Sequence, residues 1–259
     1  MRPSSRWRIM FVPPRSGAEN MARDSALMDM ARETGESIFS VYSWVAPTLS
    51  LGRNQTARDR YDLREIERRG IDVVRRPTGG RALLHWREVT YSVAAPLAEE
   101  ESLVESYERI NKILLLGLDL LGVKASEARD GPRISPHSDS PCFAAPATGE
   151  LLSRGSKLVG SAQVRENGAM LQHGSILIHD DQPLISSLVI EPGVETTRAA
   201  TLTEALGREP TIDDVAEALF AAVISLEDDD ATGLAETEVS SRTRAHLDHY
   251  RNSLWTWRR

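Results

Sequence analysis

Cys142 is the one cysteine in a chain of 259 residues, and it lies in the stretch Pro141-Cys142-Phe143-Ala144-Ala145-Pro146, between two prolines. Fifteen residues on comes Lys157, isolated in Gly155-Ser156-Lys157-Leu158-Val159-Gly160-Ser161-Ala162-Gln163. A thiol does nucleophilic work as thiolate, and a free one is mostly protonated near neutral pH. An ammonium nearby favours the thiolate, so the two residue types could form an activated nucleophile. The small run Gly160, Ser161 and Ala162 would let backbone approach a ligand closely. Each residue also has a plain structural reading. A lone cysteine is usually a small buried hydrophobe, and a lysine after Gly-Ser is usually a solvated turn residue. The pair alone does not decide between these.

A second chemical stretch precedes it: Arg75-Arg76-Pro77-Thr78-Gly79-Gly80-Arg81-Ala82-Leu83-Leu84-His85. Two glycines after a proline permit positive φ and turn backbone N–H groups outward. Arginines on both sides add donors and positive charge. Together they could hold a carboxylate, a phosphate or the phosphopantetheine of a thioester; Gly-Gly alone is equally the mark of an ordinary tight turn. The stretch fits neither the P-loop nor the dinucleotide-binding fingerprint.

The elements that must position these residues read as follows. Trp7 to Val12 is a short strand, and Gly17 to Arg32 a helix with Leu27, Met30 and Ala31 on one face. Ile38–Val45, Thr48–Leu51 and Ile71–Arg76 read as strands, with a short helix from Asp62 to Arg69 between the last two. Ala82–Trp86 and Val89–Ala94 read as the arms of a hairpin. Glu99 to Val123 is a helix with Leu103, Tyr107, Ile110, Leu114 and Leu121 on its apolar side. A polar, proline-rich loop delivers Cys142. Leu151-Leu152 and Lys157–Val164 are strands across a turn at Arg154-Gly155, and Ala169–Ile178 is another. Thr211-Ile212-Asp213-Asp214 is a capping signal for a helix running to Leu226. A last helix spans about Leu234 to Leu254. The pattern predicts one α+β domain over residues 1–259, a mixed or antiparallel sheet with helices on one side.

Composition narrows the class. With 41% apolar and 27% charged residues the chain is ordinary for a globular protein, and its net charge of −7 argues against a general nucleic-acid binder. A local basic patch is expected at Arg75, Arg76 and Arg81. One cysteine fits a reducing, cytoplasmic setting. No apolar run is long enough to span a bilayer, and the N-terminal apolar run is too short for a signal peptide. The six histidines form no metal-ligand pattern.

Four stretches in order resemble the biotin/lipoate protein ligase superfamily. Arg75 to His85 resembles its Arg-Arg-x-(Ser/Thr)-Gly-Gly-(Gly/Arg)-x-x-x-His motif. Tyr42-Ser43-Trp44 through Gly52-Arg53-Asn54-Gln55, with Glu88-Val89-Thr90-Tyr91-Ser92, is similar to two further segments. Lys157 to Gln163 matches Lys-(Ile/Leu)-x-Gly-Ser-Ala-Gln, and Gln172-His173-Gly174-Ser175 matches His-Gly-Ser. The resemblance runs from about residue 18 to about residue 179. It is strongest to the LipM-type octanoyltransferase branch, because Arg81 replaces the third glycine usual in the ATP-using ligases and because Pro-Cys-Phe-x-x-Pro resembles the transferases' nucleophile loop. Two departures are Trp86, where aspartate is frequent, and Thr148-Gly149-Glu150 in place of Ser-x-Tyr-Glu.

The resemblance implies the superfamily's catalytic-domain fold and transfer of an octanoyl group, through a Cys142 thioester assisted by Lys157, to a lysine. The donor would be octanoyl-acyl carrier protein and the acceptor an apo lipoyl-type domain, of the glycine-cleavage H protein or a dehydrogenase E2; no cofactor, ATP, metal, nucleic acid or membrane is implied. It assigns substrate binding to Arg75, Arg76, Thr78, Gly79, Gly80, Arg81, His85, Gly160, Ser161, Ala162 and His173. Val74, Leu83 and Ile176 are candidates to line the acyl slot. An ATP-dependent lipoate ligase or its catalytic half, a lipoyl amidotransferase, and a non-catalytic acyl-binding sensor stay open as alternatives.

Overall fold

A computed structural model describes residues 6–98, 101–128, 149–190 and 198–258; Cys142, with the rest of 129–148, lies outside them. In chain order the strands are β1 (Trp7–Phe11), β2 (Ser37–Tyr42), β3 (Thr48–Leu51), β4 (Asp72–Arg75), β5 (Leu83–His85), β6 (Glu88–Pro96), β7 (Ser126–Glu127), β8 (Leu151–Ser153), β9 (Ser156–Glu166), β10 (Ala169–Leu177) and β11 (Thr232–Gly233). The helices are α1 (Gly17–Thr34), α2 (Leu63–Arg68), α3 (Leu103–Leu120), α4 (Leu202–Leu206), α5 (Ile212–Leu226), α6 (Glu236–Arg251) and α7 (Ser253–Thr256), with a 3-10 turn at Gln182–Ser187.

The large sheet runs β11-β1-β2-β6-β10-β9-β8-β7, and a small one runs β4-β3-β5. The large sheet is mixed: β1 pairs in parallel with β2 and β11, while β2, β6, β10 and β9 pair antiparallel. Side chains alternate along β2, as a strand requires. Phe39 and Val41 face a core completed by Ile110 and Leu114 of α3 and Leu219 and Val223 of α5. Ile38 and Tyr42 face the opposite core, with Met21, Ala26 and Leu27 of α1 and Val239 and Tyr250 of α6. Helices therefore cover both faces, not one as the sequence pattern suggested. An α3 as apolar as this one needs a separate face from α1, because both faces of β2 are buried and each must be covered.

Three other expectations change. The expected hairpin of β5 and β6 does not form: β5 pairs with β3 and β6 with β2 and β10. The reason is a side chain a hundred residues away. Leu84 N–H donates to Gln182 Oε1 (3.1 Å), and Gln182 Nε2 donates to Leu84 C=O (2.7 Å), so the free edge of β5 is already hydrogen-bonded. Helix α3 starts at Leu103 rather than Glu99, because Ser102 and Glu105 form a capping box. The last helix breaks at Asn252, whose side chain accepts from Leu254 N–H and starts α7. The capping box at Thr211 opens α5 as expected. Among the described residues no helix is long and apolar enough to cross a membrane.

Candidate functional site

The glycine turn joins β4 of the small sheet to β5 and folds back on the end of β3. Gly52 and Gly80 touch there: a Cβ on Gly52 would sit 1.9 Å from Gly80 C=O, and Gly80 itself has φ +95°, so neither position accepts a side chain. Arg53 N–H donates to Thr78 C=O (2.8 Å) and ties the two loops.

The arginines flanking this turn are not a surface patch. Arg75, Arg76 and Arg81 are only 0%, 5% and 7% exposed. Arg75 donates to the carbonyls of Gly52 (2.6 Å), Gln55 (2.8 Å) and Thr256 (2.8 Å). Arg76 donates to Ser50 C=O (2.9 Å), Gly79 C=O (2.9 Å) and Arg81 C=O (2.8 Å). A guanidinium with five fixed donors is suited to this work, since it gathers several carbonyls that turn geometry leaves without partners. For Arg75 and Arg76 the guanidinium donors point inward, to backbone carbonyls.

Two histidine–carboxylate pairs stand beside the turn. His173, on β10, has Nδ1 2.8 Å from Asp24 Oδ2 and Nε2 2.6 Å from Thr78 Oγ1. Asp24 comes from α1 and also accepts from Tyr42 O–H (2.8 Å). Burial holds the His173 imidazole below its usual pKa, against the opposing pull of Asp24, and pushes the Tyr42 hydroxyl far above its own. With Asp24 accepting, the ring proton belongs on Nδ1, and Nε2 accepts from Thr78 O–H.

The second pair is His85 Nδ1 with Glu88 Oε1, at 2.7 Å. The same Glu88 oxygen accepts from Thr90 O–H (2.6 Å) and Trp44 Nε1–H (3.2 Å), and Oε2 accepts from Ser175 O–H. The His85 ring stacks on the Trp44 indole, with centroids 4.0 Å apart and planes 17° off parallel.

Between these pairs lies a small cavity. Its walls carry Met21, Tyr42, Trp44 and Leu83 together with Gly160, Ser161 and Ala162 of β9. Gly174 on β10 is forced by close approach: a Cβ there would meet Gly160 C=O at 2.5 Å and the Tyr91 ring at 2.6 Å. Tyr91 O–H, pushed up to about 12 by burial, lies 2.6 Å from Ser161 Oγ and fixes that wall. Lys157 lies three residues before Gly160 on the same strand, buried, with Nζ 2.5 Å from Glu150 Oε1.

Residues 16–224 match the lipoyl protein ligase A/B catalytic domain. The chain belongs to that family. A relative from Carboxydothermus hydrogenoformans named "Octanoyltransferase LipM" is 45% identical over 68% of this chain and 66% of its own. One of the same name from Brevibacillus brevis is 35% identical over 98% of this chain and 99% of its own. Among solved structures, a putative lipoate protein ligase of T. acidophilum with bound lipoic acid superposes with TM-score 0.75 at 21% identity, covering 98% of this chain and 99% of that one. That likeness concerns the fold.

For this lipoyl protein ligase A/B domain, the cavity brings together Arg76, Gly80, His85, Gly160, Ser161, Ala162 and His173 from the expected set. Thr78 reaches it through His173. Arg75, Gly79, Arg81 and Lys157 do not line it, and Arg75 instead ties the turn to α7. Of the expected acyl-slot residues only Leu83 lines the wall. Val74 packs under α1 and Ile176 in the opposite core, because each points away from the junction of the two sheets. Sequence reasoning missed Asp24, Glu88 and Glu150. A carboxylate inside an apolar strand, as in Glu88-Val89-Thr90, is the signal that could have found one of them.

Proposed function

We propose that this chain is an acyltransferase that moves an octanoyl group from octanoyl-acyl carrier protein to a lysine of an apo lipoyl-type domain. In this reading the Cys142 thiolate attacks the thioester carbonyl, the carrier thiol leaves, and an octanoyl-thioester enzyme forms. The acceptor amine then attacks that thioester, giving an amide and returning the thiol. Thioester exchange is close to neutral and thioester to amide is downhill, so the reading needs no ATP, metal or cofactor. Lys157, held in place by Glu150, would stabilise the thiolate and the oxyanion.

The observation that carries the reading is the mostly apolar cavity lined by Met21, Trp44 and Leu83 together with Gly80 of the glycine turn and Gly160 of β9. A relative named for octanoyl transfer aligns with 98% of this chain.

The test is mass spectrometry of the protein mixed with octanoyl-carrier protein, without ATP. A gain of one octanoyl group on Cys142, absent in Cys142→Ala and passed on to an apo lipoyl domain, is expected. A product that forms only with ATP, with release of pyrophosphate, would overturn the reading in favour of a ligase.

A further inference from the structure

A second cleft lies against the first cavity. Its lining includes Ser25 and Met28 of α1, Pro77 of the glycine turn, Val164 of β9 and Ala169 of β10. The same four segments line the first cavity a few residues away, through Met21, Gly80, Ala162 and His173. The register of the sheet makes the boundary sharp. Ala162 pairs with His173, and the next row on that face pairs Val164 with Leu171. Ala162 and His173 line the first cavity, and Val164 lines the cleft.

What separates the two spaces is a barrier of bonded side chains. Thr78 O–H in the glycine turn donates to His173 Nε2 (2.6 Å), and His173 Nδ1–H donates to Asp24 of α1 (2.8 Å). The barrier thus reaches from turn to helix across β10, and all three residues are buried. Pro77, just before Thr78, and Ser25, just after Asp24, both line the cleft. Ser25 Oγ lies 2.7 Å from the hydroxyl of Tyr250, another cleft residue. Burial, with the Asp24 charge adding to it, pushes that hydroxyl up to about 12, so Asp24 is felt on the far side of the barrier as well. Lys157 lies at the opposite end of this path: along β9 the order is Lys157, Gly160, Ala162, and then Val164 behind the barrier.

We propose that the Thr78–His173–Asp24 barrier is the end stop of the acyl slot and sets the chain length the protein accepts; the proposal rests on the octanoyl-transfer reading. With the thioester carbonyl at the Lys157 end, the tail extends past Gly160 and Ala162 and meets the His173 ring. A chain that stops there leaves both hydrogen bonds intact. A longer chain has to break a buried hydrogen bond and strand its partner, which a tail made only of methylenes cannot replace. Behind the barrier, Met28, Val164 and Trp255 offer apolar surface that a longer tail could cover once the barrier is gone.

The test reads chain length rather than rate alone. The full-length protein is mixed with octanoyl- or dodecanoyl-carrier protein, and formation of each acyl enzyme is timed by mass spectrometry. The wild-type protein is expected to favour octanoyl by at least about 10-fold, since even one methylene in a closed apolar pocket is discriminated on that scale. Asp24→Asn combined with His173→Ala opens the barrier without leaving a lone buried carboxylate. It is expected to lower the octanoyl preference about 10-fold or more. Asp24→Asn alone keeps the shape of the barrier and should keep the preference. Val164→Phe, on the cleft side, should leave octanoyl transfer unchanged while the barrier is intact, and should take back the dodecanoyl gain in the opened variant. An unchanged preference in the opened variant would overturn the proposal. So would a wild-type protein that takes both chains equally, or a gain that Val164→Phe does not reverse, because the tail would then not lie behind the barrier. If a circular-dichroism melt shows the opened variant unfolding early, Ala162→Leu takes its place. It fills the last row before His173 and should shift the preference toward hexanoyl-carrier protein; no shift would overturn the proposal equally. Failure of the wild-type protein to form an octanoyl enzyme at all would instead sink the octanoyl-transfer reading. Calorimetric titration of the wild-type and opened proteins with octanoate and dodecanoate would then still decide whether the barrier limits chain length.

Discussion

His173 and His85 border the same cavity, each with a buried carboxylate on Nδ1, yet they are built for different work. His173 is closed: Asp24 takes one nitrogen and Thr78 the other. Through it, α1, the large sheet and the glycine turn of the small sheet are tied in one line. Among the described residues His85 is open: Glu88 and Trp44 fix the ring, and Nε2 has no hydrogen-bond partner. Which residue types are paired does not decide the role. What decides it is whether the second nitrogen has a partner, and that depends on a threonine in a turn far away in the chain.

The comparison is broken most severely by removing Glu88. Trp44, His85, Thr90 and Ser175 all donate to its two oxygens, from four separate segments. The hydroxyls can rotate toward other acceptors and Trp44 Nε1–H also donates to Thr90 Oγ1 (2.8 Å), but the His85 N–H has no other acceptor among the described residues. Glu88→Ala is expected to cost about 3–5 kcal/mol, the usual result of stripping one partner from a buried charged network. Urea denaturation measures it, and a loss under about 1 kcal/mol would mean that Glu88 does not hold the open pair together.

How far the sequence reaches can be read from the same residues. β-branched and aromatic enrichment located β2, alternation located β3, and the capping box at Thr211 located the start of α5, because these are local signals. The hairpin expectation failed because only Arg87 and Glu88 separate the two expected arms, whereas Gln182, unseen from there, occupies the edge of β5. Arg75 and Arg76 read as a patch because arginines beside Gly-Gly usually face solvent; only the fold reveals that Ser50, Gly52 and Thr256 bring carbonyls to meet them. Asp24 was hidden for a related reason. It lies on α1 beside Asn20 and Arg23, and all three are buried, so the helix has no clean polar face to read. The motif residues His85 and His173 were visible in sequence, but their carboxylates come from other strands and helices and were not.

Opening the closed pair is a smaller change. Thr78→Val is close to isosteric and removes the hydroxyl that donates to His173 Nε2, leaving a buried acceptor without its partner. The expected cost is about 1–3 kcal/mol. It should also make His173 resemble His85, a ring with Nδ1 held and Nε2 vacant. NMR of the His173 ring nitrogens follows this directly: the Nε2 resonance should move while Nδ1 keeps the signature of its proton. If Nε2 keeps its wild-type shift, Thr78 was not its partner in solution.

The smallest effect is in the pH dependence of stability, and it has a definite sign. Burial lowers the pKa of His173 in the folded chain from its ordinary 6.5, with nearby Arg76 and His85 pushing the same way and Asp24 opposing. The unfolded chain therefore takes up a proton on this residue before the folded chain does. Stability from this group is complete above about pH 6.5, falls as pH drops below it, and levels off once the folded pKa is passed. His249, an exposed residue, titrates in the same direction, lowered by partial desolvation and by nearby His246 and Arg258, so the total slope is not diagnostic. The difference is: His173→Gln keeps a side-chain amide near Asp24 and Thr78 and cannot titrate. Subtracting its stability curve from that of the wild-type protein between pH 5 and 8 should leave a slope confined to the acid side of about 6.5, with the wild-type protein losing more. A flat difference would mean that Asp24 stabilises the imidazolium enough to cancel burial. His173 would then accept a proton as readily as an exposed histidine, and Thr78 would have to turn its lone pairs toward the protonated Nε2 and send its own O–H elsewhere.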